Sequence, residues 1–306
     1  MIHGKKVGLC LGSGGARGLA HVGVLQVLEE NGIVPDIISG CSAGAIFGSI
    51  YAAGTNLYLL EKYLGTVDAT TIIDLGIPNQ GGFLSGDKIE EVVMTLTHDL
   101  SFHETRIPFV CIATDLMTGE MRVFEEGKLH RAVRASMAVP GVFSPALIDG
   151  HYYVDGGVIE ELPVDVLRAR GADVVITSDL GIKRNFFDPE HPSPIDILRR
   201  SSDIMQANLT HRQADKGDVI IRPDASFMGL LKINGYEESV EAGRQKATEA
   251  LPRIRELLGM DAPASEQQEG LPQGGEALPH IRELLGMDAP ASEQQEGLPQ
   301  GGEALA

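Results

Sequence analysis

The order of apolar and glycine-rich stretches along the first fifty residues is the strongest constraint on the fold. Lys6–Leu11 (KVGLCL) is a short apolar run, and a glycine-rich loop follows at Gly12–Gly18. Leu19–Glu30 then carries Leu19, Val22, Leu25 and Val27 or Leu28 at helical spacing, and Gly32 closes it. Ile33–Ser39 is a second apolar run, and Ala43–Ala53 reads as a buried helix. Strand, loop, helix, strand, turn, helix is the order of a parallel sheet covered by helices. The pattern returns with strands expected at Ile107–Thr114, Glu120–Phe124, Leu147–Val154, Asp173–Ser178 and Val219–Arg222. Helices are expected at Leu129–Ala138, Val164–Arg170, Ile195–Lys216 and Glu238–Leu251, the last continued by Leu251, Ile254, Leu257 and Leu258 at helical spacing.

A chain of 306 residues with 43% hydrophobic residues can bury a large core, filled by aliphatic side chains because there is no Trp. The net charge of −18 shows no basic excess, which sets nucleic acid aside and excludes adhesion to anionic lipid by charge alone. Contact with a membrane surface would have to be hydrophobic and transient. Cys10, Cys41 and Cys111 form no C-x-x-C pair and read as reduced, buried thiols. No His/Cys/Asp cluster has metal-ligand spacing, so neither a metal nor a cofactor is expected. The apolar stretch near the N-terminus is too short for a signal-peptide core, and no run approaches a membrane span. The expected location is the cytoplasm, with peripheral contact at a membrane left open. Residues 249–275 recur as 276–302, differing only in Arg253 against His280. The domain organisation expected is therefore a main α/β domain over residues 5–260, with its motifs within about 7–168, and a duplicated, acidic, largely disordered tail at 261–306.

Three motifs carry the chemistry. Gly40-Cys41-Ser42-Ala43-Gly44 is a G-x-S-x-G between an apolar strand and an apolar helix, the context of a nucleophile elbow. An ordinary glycine turn with a capping serine is its plainer reading. The loop Gly12-Ser13-Gly14-Gly15-Ala16-Arg17-Gly18 lets backbone N–H groups approach a ligand. It fits an oxyanion hole better than a pyrophosphate cradle. Arg17 occupies the last glycine position of a dinucleotide motif, and the second strand lacks a terminal acid. Asp155-Gly156-Gly157 alone is a turn and gains weight from the other two.

Together with Ala135-Ser136-Met137-Ala138-Val139-Pro140-Gly141-Val142-Phe143-Ser144-Pro145, these blocks resemble the patatin-like phospholipase family, in particular its bacterial branch related to neuropathy target esterase. The likeness covers about residues 5–180, and more weakly to about 255. It implies a three-layer α/β/α fold with a mainly parallel central sheet. It also implies a serine acyl hydrolase of lipid esters, of phospholipase A or lysophospholipase type. Ser42 would be the nucleophile and Asp155 its base, without histidine. The N–H groups of Gly14 and Gly15 would form the oxyanion hole and Arg17 would support the loop. Gly12, Gly18, Gly40, Gly44, Gly156 and Gly157 would complete the motifs. The implied partner is a lipid or fatty-acyl ester; the oligomeric state is left open. Two departures stand out: Ser13 where many members have Gly, and Glu160-Glu161 where many have Asn-Asn. The glutamates would raise the pKa of Asp155 if they point inward.

Two other classes compete with the hydrolase: a scaffold that keeps the fold and works through partners and its acidic tail, and a dinucleotide-binding oxidoreductase. The intact serine, aspartate and glycines favour the hydrolase. His191 and His211 follow Asp155 and would serve a conventional triad, but both lie in polar settings, and His21 reads as a helix residue near the glycine loop. Thr66–Gly86 holds scattered apolar residues and is either a packed loop or a flap over an acyl channel.

Overall fold

The structure is a computed structural model, and it describes residues 1–66, 74, 81–181, 197, 200, 201, 204–206, 216–228 and 235–260. Two compact units divide the chain, Met1–Ser265 and Glu266–Ala306; the second, with most of the duplicated tail, lies outside the described residues. So do most of the expected flap and of the helix expected at 195–216.

Five parallel strands form the centre of an eight-stranded sheet: β1 (Val7–Leu11), β2 (Ile37–Cys41), β4 (Phe109–Asp115), β9 (Val174–Ser178) and β10 (Val219–Ile221), in the order β10-β9-β1-β2-β4. β8 (His151–Asp155) and β7 (Ala146–Ile148) continue the sheet antiparallel, and β5 (Met121–Phe124) pairs antiparallel with β4. A separate parallel pair joins β3 (Gly82–Leu84) to β6 (Gly141–Phe143). Every residue of β1, β2, β4 and β9 is buried. Parallel strands are covered on both faces, so they are written as continuous apolar runs rather than alternating ones.

Helices supply both covers. α2 (Ala43–Ala52) lies on one face, where a Cβ on its Gly48 would meet Phe109, Ile38 and Leu11. α6 (Val164–Ala169) lies on the other, where Val164 and Leu167 pack with Cys10, Ile37 and Val175. The remaining helices are α1 (Ala20–Glu30), α3 (Leu57–Leu64), α4 (Asp87–Leu96), α5 (Leu129–Ser136) and α7 (Tyr236–Leu258). α1 and α7 cross at two glycines. A Cβ on Gly23 would lie 1.9 Å from the Val240 carbonyl oxygen, and one on Gly243 2.0 Å from that of Ala20. Arg244 ties the crossing to Glu30 at 2.9 Å and to Gln26 at 3.1 Å.

Apart from the helix expected at 195–216, which lies mostly outside the described residues, the elements expected from the sequence are present, with two instructive differences. The second strand begins at Ile37 rather than Ile33, because Asp36 turns there and its carboxylate accepts the Val7 N–H at 2.8 Å. Leu147–Val154 is a hairpin, not one strand, and turns at Asp149 and Gly150, both with positive φ. α7 runs through Pro252 to Leu258, as the helical spacing of Leu251, Ile254, Leu257 and Leu258 predicts. A proline removes one helical hydrogen bond, but Ile254 and Leu258 beyond it are fully buried, and Gly259 ends the helix in the left-handed conformation.

Candidate active site

The site sits at the C-terminal edge of the parallel strands, where α/β sheets place their ligands. β2 ends at Cys41 and the chain turns at Ser42 into α2 with φ 54° and ψ −116°. A non-glycine residue there is strained, and such strain is held only where the surroundings fix it. Gly44 explains how. A Cβ on it would lie 2.0 Å from the Leu11 carbonyl oxygen, so the first turn of α2 sits directly on the end of β1. A Cβ on Gly40 would lie 2.6 Å from the Gly44 carbonyl oxygen, and one on Gly18 2.5 Å from the Ala43 methyl. The elbow and the glycine loop are thus one interlocked unit.

The carboxylate of Asp155, the last residue of β8, lies close enough to the Ser42 hydroxyl for that hydroxyl to lower its pKa. Both residues are buried. Asp155 also accepts the Gly157 N–H at 2.8 Å, and the Cys41 thiol lies 3.9 Å from the same oxygen. Gly156 packs against β4, where a Cβ would come within 2.6 Å of the Ile112 carbonyl oxygen. Burial is the largest influence on Asp155 and raises its pKa to about 6; the Ser42 hydroxyl and the Gly157 N–H oppose the rise, and the Glu161 charge adds to it. Burial first, and then the Asp155 charge, push the Cys41 thiol up, so it stays protonated. No histidine is among the partners of Asp155 among the described residues; His191 and His211 lie outside them.

The glycine loop runs from β1 into a short 3-10 turn at Gly15–Leu19. The Gly12 N–H donates to Ser178 and that of Ser13 to Glu161, whereas those of Gly14 and Gly15 have no protein acceptor among the described residues. Gly14 packs against Leu180, and Gly15 takes φ 58°. The buried Arg17 guanidinium clamps the loop, donating to the carbonyls of Gly14 (3.1 Å), Leu180 (2.9 Å) and Gly181 (2.6 Å).

The two departures from the family pattern meet each other. The Ser13 hydroxyl donates to the Glu161 carboxylate at 3.0 Å. Glu160 is half-buried and its pKa is raised, chiefly by that burial.

Two residues take part in the site in ways that the sequence did not assign them. The Ser42 backbone N–H donates to the Ser136 hydroxyl at 2.9 Å, which fixes the elbow to the end of α5. His21 is fully buried between the Gly12 carbonyl and the Ser178 hydroxyl, each at 2.9 Å. Its Nε2 donates to the carbonyl, so its Nδ1 accepts from Ser178. Burial lowers its pKa to about 4 and keeps it neutral. A G-x-S-x-G or a lone histidine carries no mark of such distant partners; the A-S-x-A-x-P block was the only hint of Ser136.

Beside Ser42 opens a cavity of about 140 Å³ with an almost wholly apolar lining, including Gly15, Ile46, Phe47, Leu60, Val139 and Phe143. Among the described residues no three His, Cys, Asp or Glu side chains converge as a metal site, and no helix is long and apolar enough to cross a membrane.

The patatin-like phospholipase family model matches residues 9–168, more than half of the chain and all the blocks above. An uncharacterised NTE family protein of Mycobacterium bovis is 38% identical over 177 residues, covering 57% of this chain and 49% of that protein. The mouse patatin-like phospholipase domain-containing protein 7 is 39% identical over 189 residues, covering 59% of this chain and 14% of its own length. The lysophospholipase NTE1 of Pyricularia oryzae is 27% identical over 283 residues, covering 83% of this chain and 19% of that protein. The chain thus spans half or less of the length of these relatives. Among solved structures, VipD from Legionella pneumophila shares the fold with a TM-score of 0.58 at 13% identity, covering 81% of this chain and 67% of that one. The mainly parallel sheet, its helical covers and the matched blocks establish that this chain belongs to the patatin-like phospholipase family.

Proposed function

We propose that this protein is a serine acyl hydrolase that cleaves carboxylic esters of lipids, of phospholipase A or lysophospholipase type, through a Ser42–Asp155 dyad. The observation that carries the proposal is the strained Ser42, beside the carboxylate of a buried Asp155 and opening onto an apolar cavity.

In this mechanism Ser42 Oγ attacks the ester carbonyl while its proton passes to Asp155. An exposed aspartate is too weak a base for a hydroxyl, and burial is what makes Asp155 basic enough. The oxyanion of the tetrahedral intermediate accepts the unpaired N–H groups of Gly14 and Gly15, backed by the partial positive charge at the start of α2. Collapse expels the alcohol, which takes the proton from Asp155, and leaves the acyl group on Ser42. Water then attacks that ester, giving its proton to Asp155, and the fatty acid leaves as Ser42 recovers a proton. The apolar cavity takes the acyl chain. The polar groups fix the carbonyl, and the cavity supplies the affinity for lipid.

Hydrolysis of phosphatidylcholine, lysophosphatidylcholine and a short aryl ester by wild type and by Asp155→Asn tests the proposal. Wild type should cleave a lipid ester, and Asp155→Asn should lose on the order of 10³-fold in turnover. Wild-type turnover in Asp155→Asn would overturn the dyad.

A further inference from the structure

A second cavity, of about 270 Å³, lies between α4, α5 and the strand end that follows β6, and its lining is mainly polar. Its floor is the Arg134 guanidinium, which is buried. Arg134 Nη2 donates to the carbonyls of Ser85 and Ser144, the latter at 2.8 Å. Nη1 is buried with no partner among the described residues, and so is the Ser144 hydroxyl. Both residues line this cavity. Arg131, one helical turn before Arg134 on α5, lines it too.

A buried guanidinium held only by carbonyls is poorly compensated. Removing it from water costs several kcal/mol unless an opposite charge is hydrogen-bonded to it. The nearby acids do not supply that bond. The Glu90 carboxylate is engaged by His130 at 2.8 Å, and Asp74 accepts from Ser85 and the N–H groups of Gly86 and Lys88. Asp87 and Glu90 also line the cavity, and their charges act on Arg134. The cavity thus offers two guanidinium groups, a hydroxyl and two carboxylates.

We propose that this cavity binds a phosphate group carried on an ammonium-bearing ester. The phosphate oxygens would bond Arg134 Nη1, Ser144 Oγ and Arg131, and the ammonium would face Asp87 and Glu90. A planar guanidinium is suited to an oxyanion. The paired carboxylates disfavour a ligand that is anionic throughout. Two sources share this chemistry: a phospholipid headgroup at a membrane and a free phosphoamine. The inference rests on the buried unpaired groups and is independent of the Ser42–Asp155 reading.

The test uses the full chain carrying Ser42→Ala, so that no lipid turns over. Binding of inorganic phosphate and of phosphoethanolamine is measured by calorimetry, and binding to phosphatidylethanolamine vesicles by co-sedimentation. Phosphoethanolamine should bind more tightly than inorganic phosphate. Ser144→Ala and Arg131→Ala should each weaken it roughly tenfold, the scale of a hydrogen bond to a charged group. Arg134→Met removes the bonds that hold two chain segments, so Ser144→Ala carries the test. Its hydroxyl has no partner among the described residues, so this variant should keep the wild-type melting temperature. Vesicle binding with the same dependence on Ser144 and Arg131 assigns the site to a headgroup, and binding of soluble phosphoethanolamine alone assigns it to a free ligand. Absence of phosphoethanolamine binding at millimolar concentration, or binding that Ser144→Ala and Arg131→Ala both leave unchanged, overturns the proposal.

Discussion

Asp155 shows how a single burial couples stability to chemistry. Its folded pKa of about 6 lies above its ordinary 3.8, so the fold favours the protonated acid. The sign follows by linkage: its contribution to stability is fully present below about pH 4 and is lost as pH rises through about 6. Asp155→Asn, uncharged at every pH, should therefore be the more stable protein at pH 8, by roughly 1–3 kcal/mol. The difference should shrink towards pH 4, and urea unfolding at the two pH values reads it. The same group should set the rising limb of the rate profile, with turnover increasing through about pH 6 as the base ionises. Glu161 adds to the upward shift through its charge, so Glu161→Gln should move that limb to lower pH. A limb that stays in place would show that Glu161 is screened from the base. The inward effect of Glu161 was foreseeable from its place after the D-G-G turn. Its bond to Ser13 was not, because nothing in either local sequence links two residues so far apart.

Among the elements, glycines and one serine set the positions that matter. Gly243→Ala would drive a methyl into the Ala20 carbonyl across the α1–α7 crossing and should cost roughly 3 kcal/mol. Glu241→Ala, on the exposed side of the same helix, should stay within about 0.5 kcal/mol. Thermal melts of the pair separate packing from helix propensity. Ser136→Ala would leave the buried Ser42 N–H without its acceptor, at about 1–3 kcal/mol, and should lower turnover with little change in KM because the elbow loosens. The buried strands were legible because a parallel sheet writes them as apolar runs bounded by glycine. α3 was missed although Asn56 caps it by accepting the N–H groups of Tyr58 and Leu59. Its eight residues are too few for a clear period. α4 was missed within the irregular stretch that precedes it. α7 continues past its proline, as the helical spacing of Leu251, Ile254, Leu257 and Leu258 predicts, because tertiary burial of Ile254 and Leu258 outweighs one lost hydrogen bond.

For the whole molecule, the catalytic reading depends on four blocks far apart in sequence that the sheet edge gathers. Ser42, Asp155 and the loop at Gly14–Gly15 were legible because their motifs are local and ordered; the apolar cavity was not, since its lining comes from α2, α3 and the β6 region. No motif residue lies beyond α7, so truncation after Met260 should leave ester turnover nearly unchanged, and a collapse with the domain still folded would show that the tail shapes the site. The most direct test of the central claim is mass spectrometry of peptides after treatment with a fluorophosphonate, which phosphonylates activated serines. The account predicts a single modified peptide carrying the adduct on Ser42, much slower labelling in Asp155→Asn, and none in Ser42→Ala. Labelling of Ser42→Ala at the wild-type rate would contradict it.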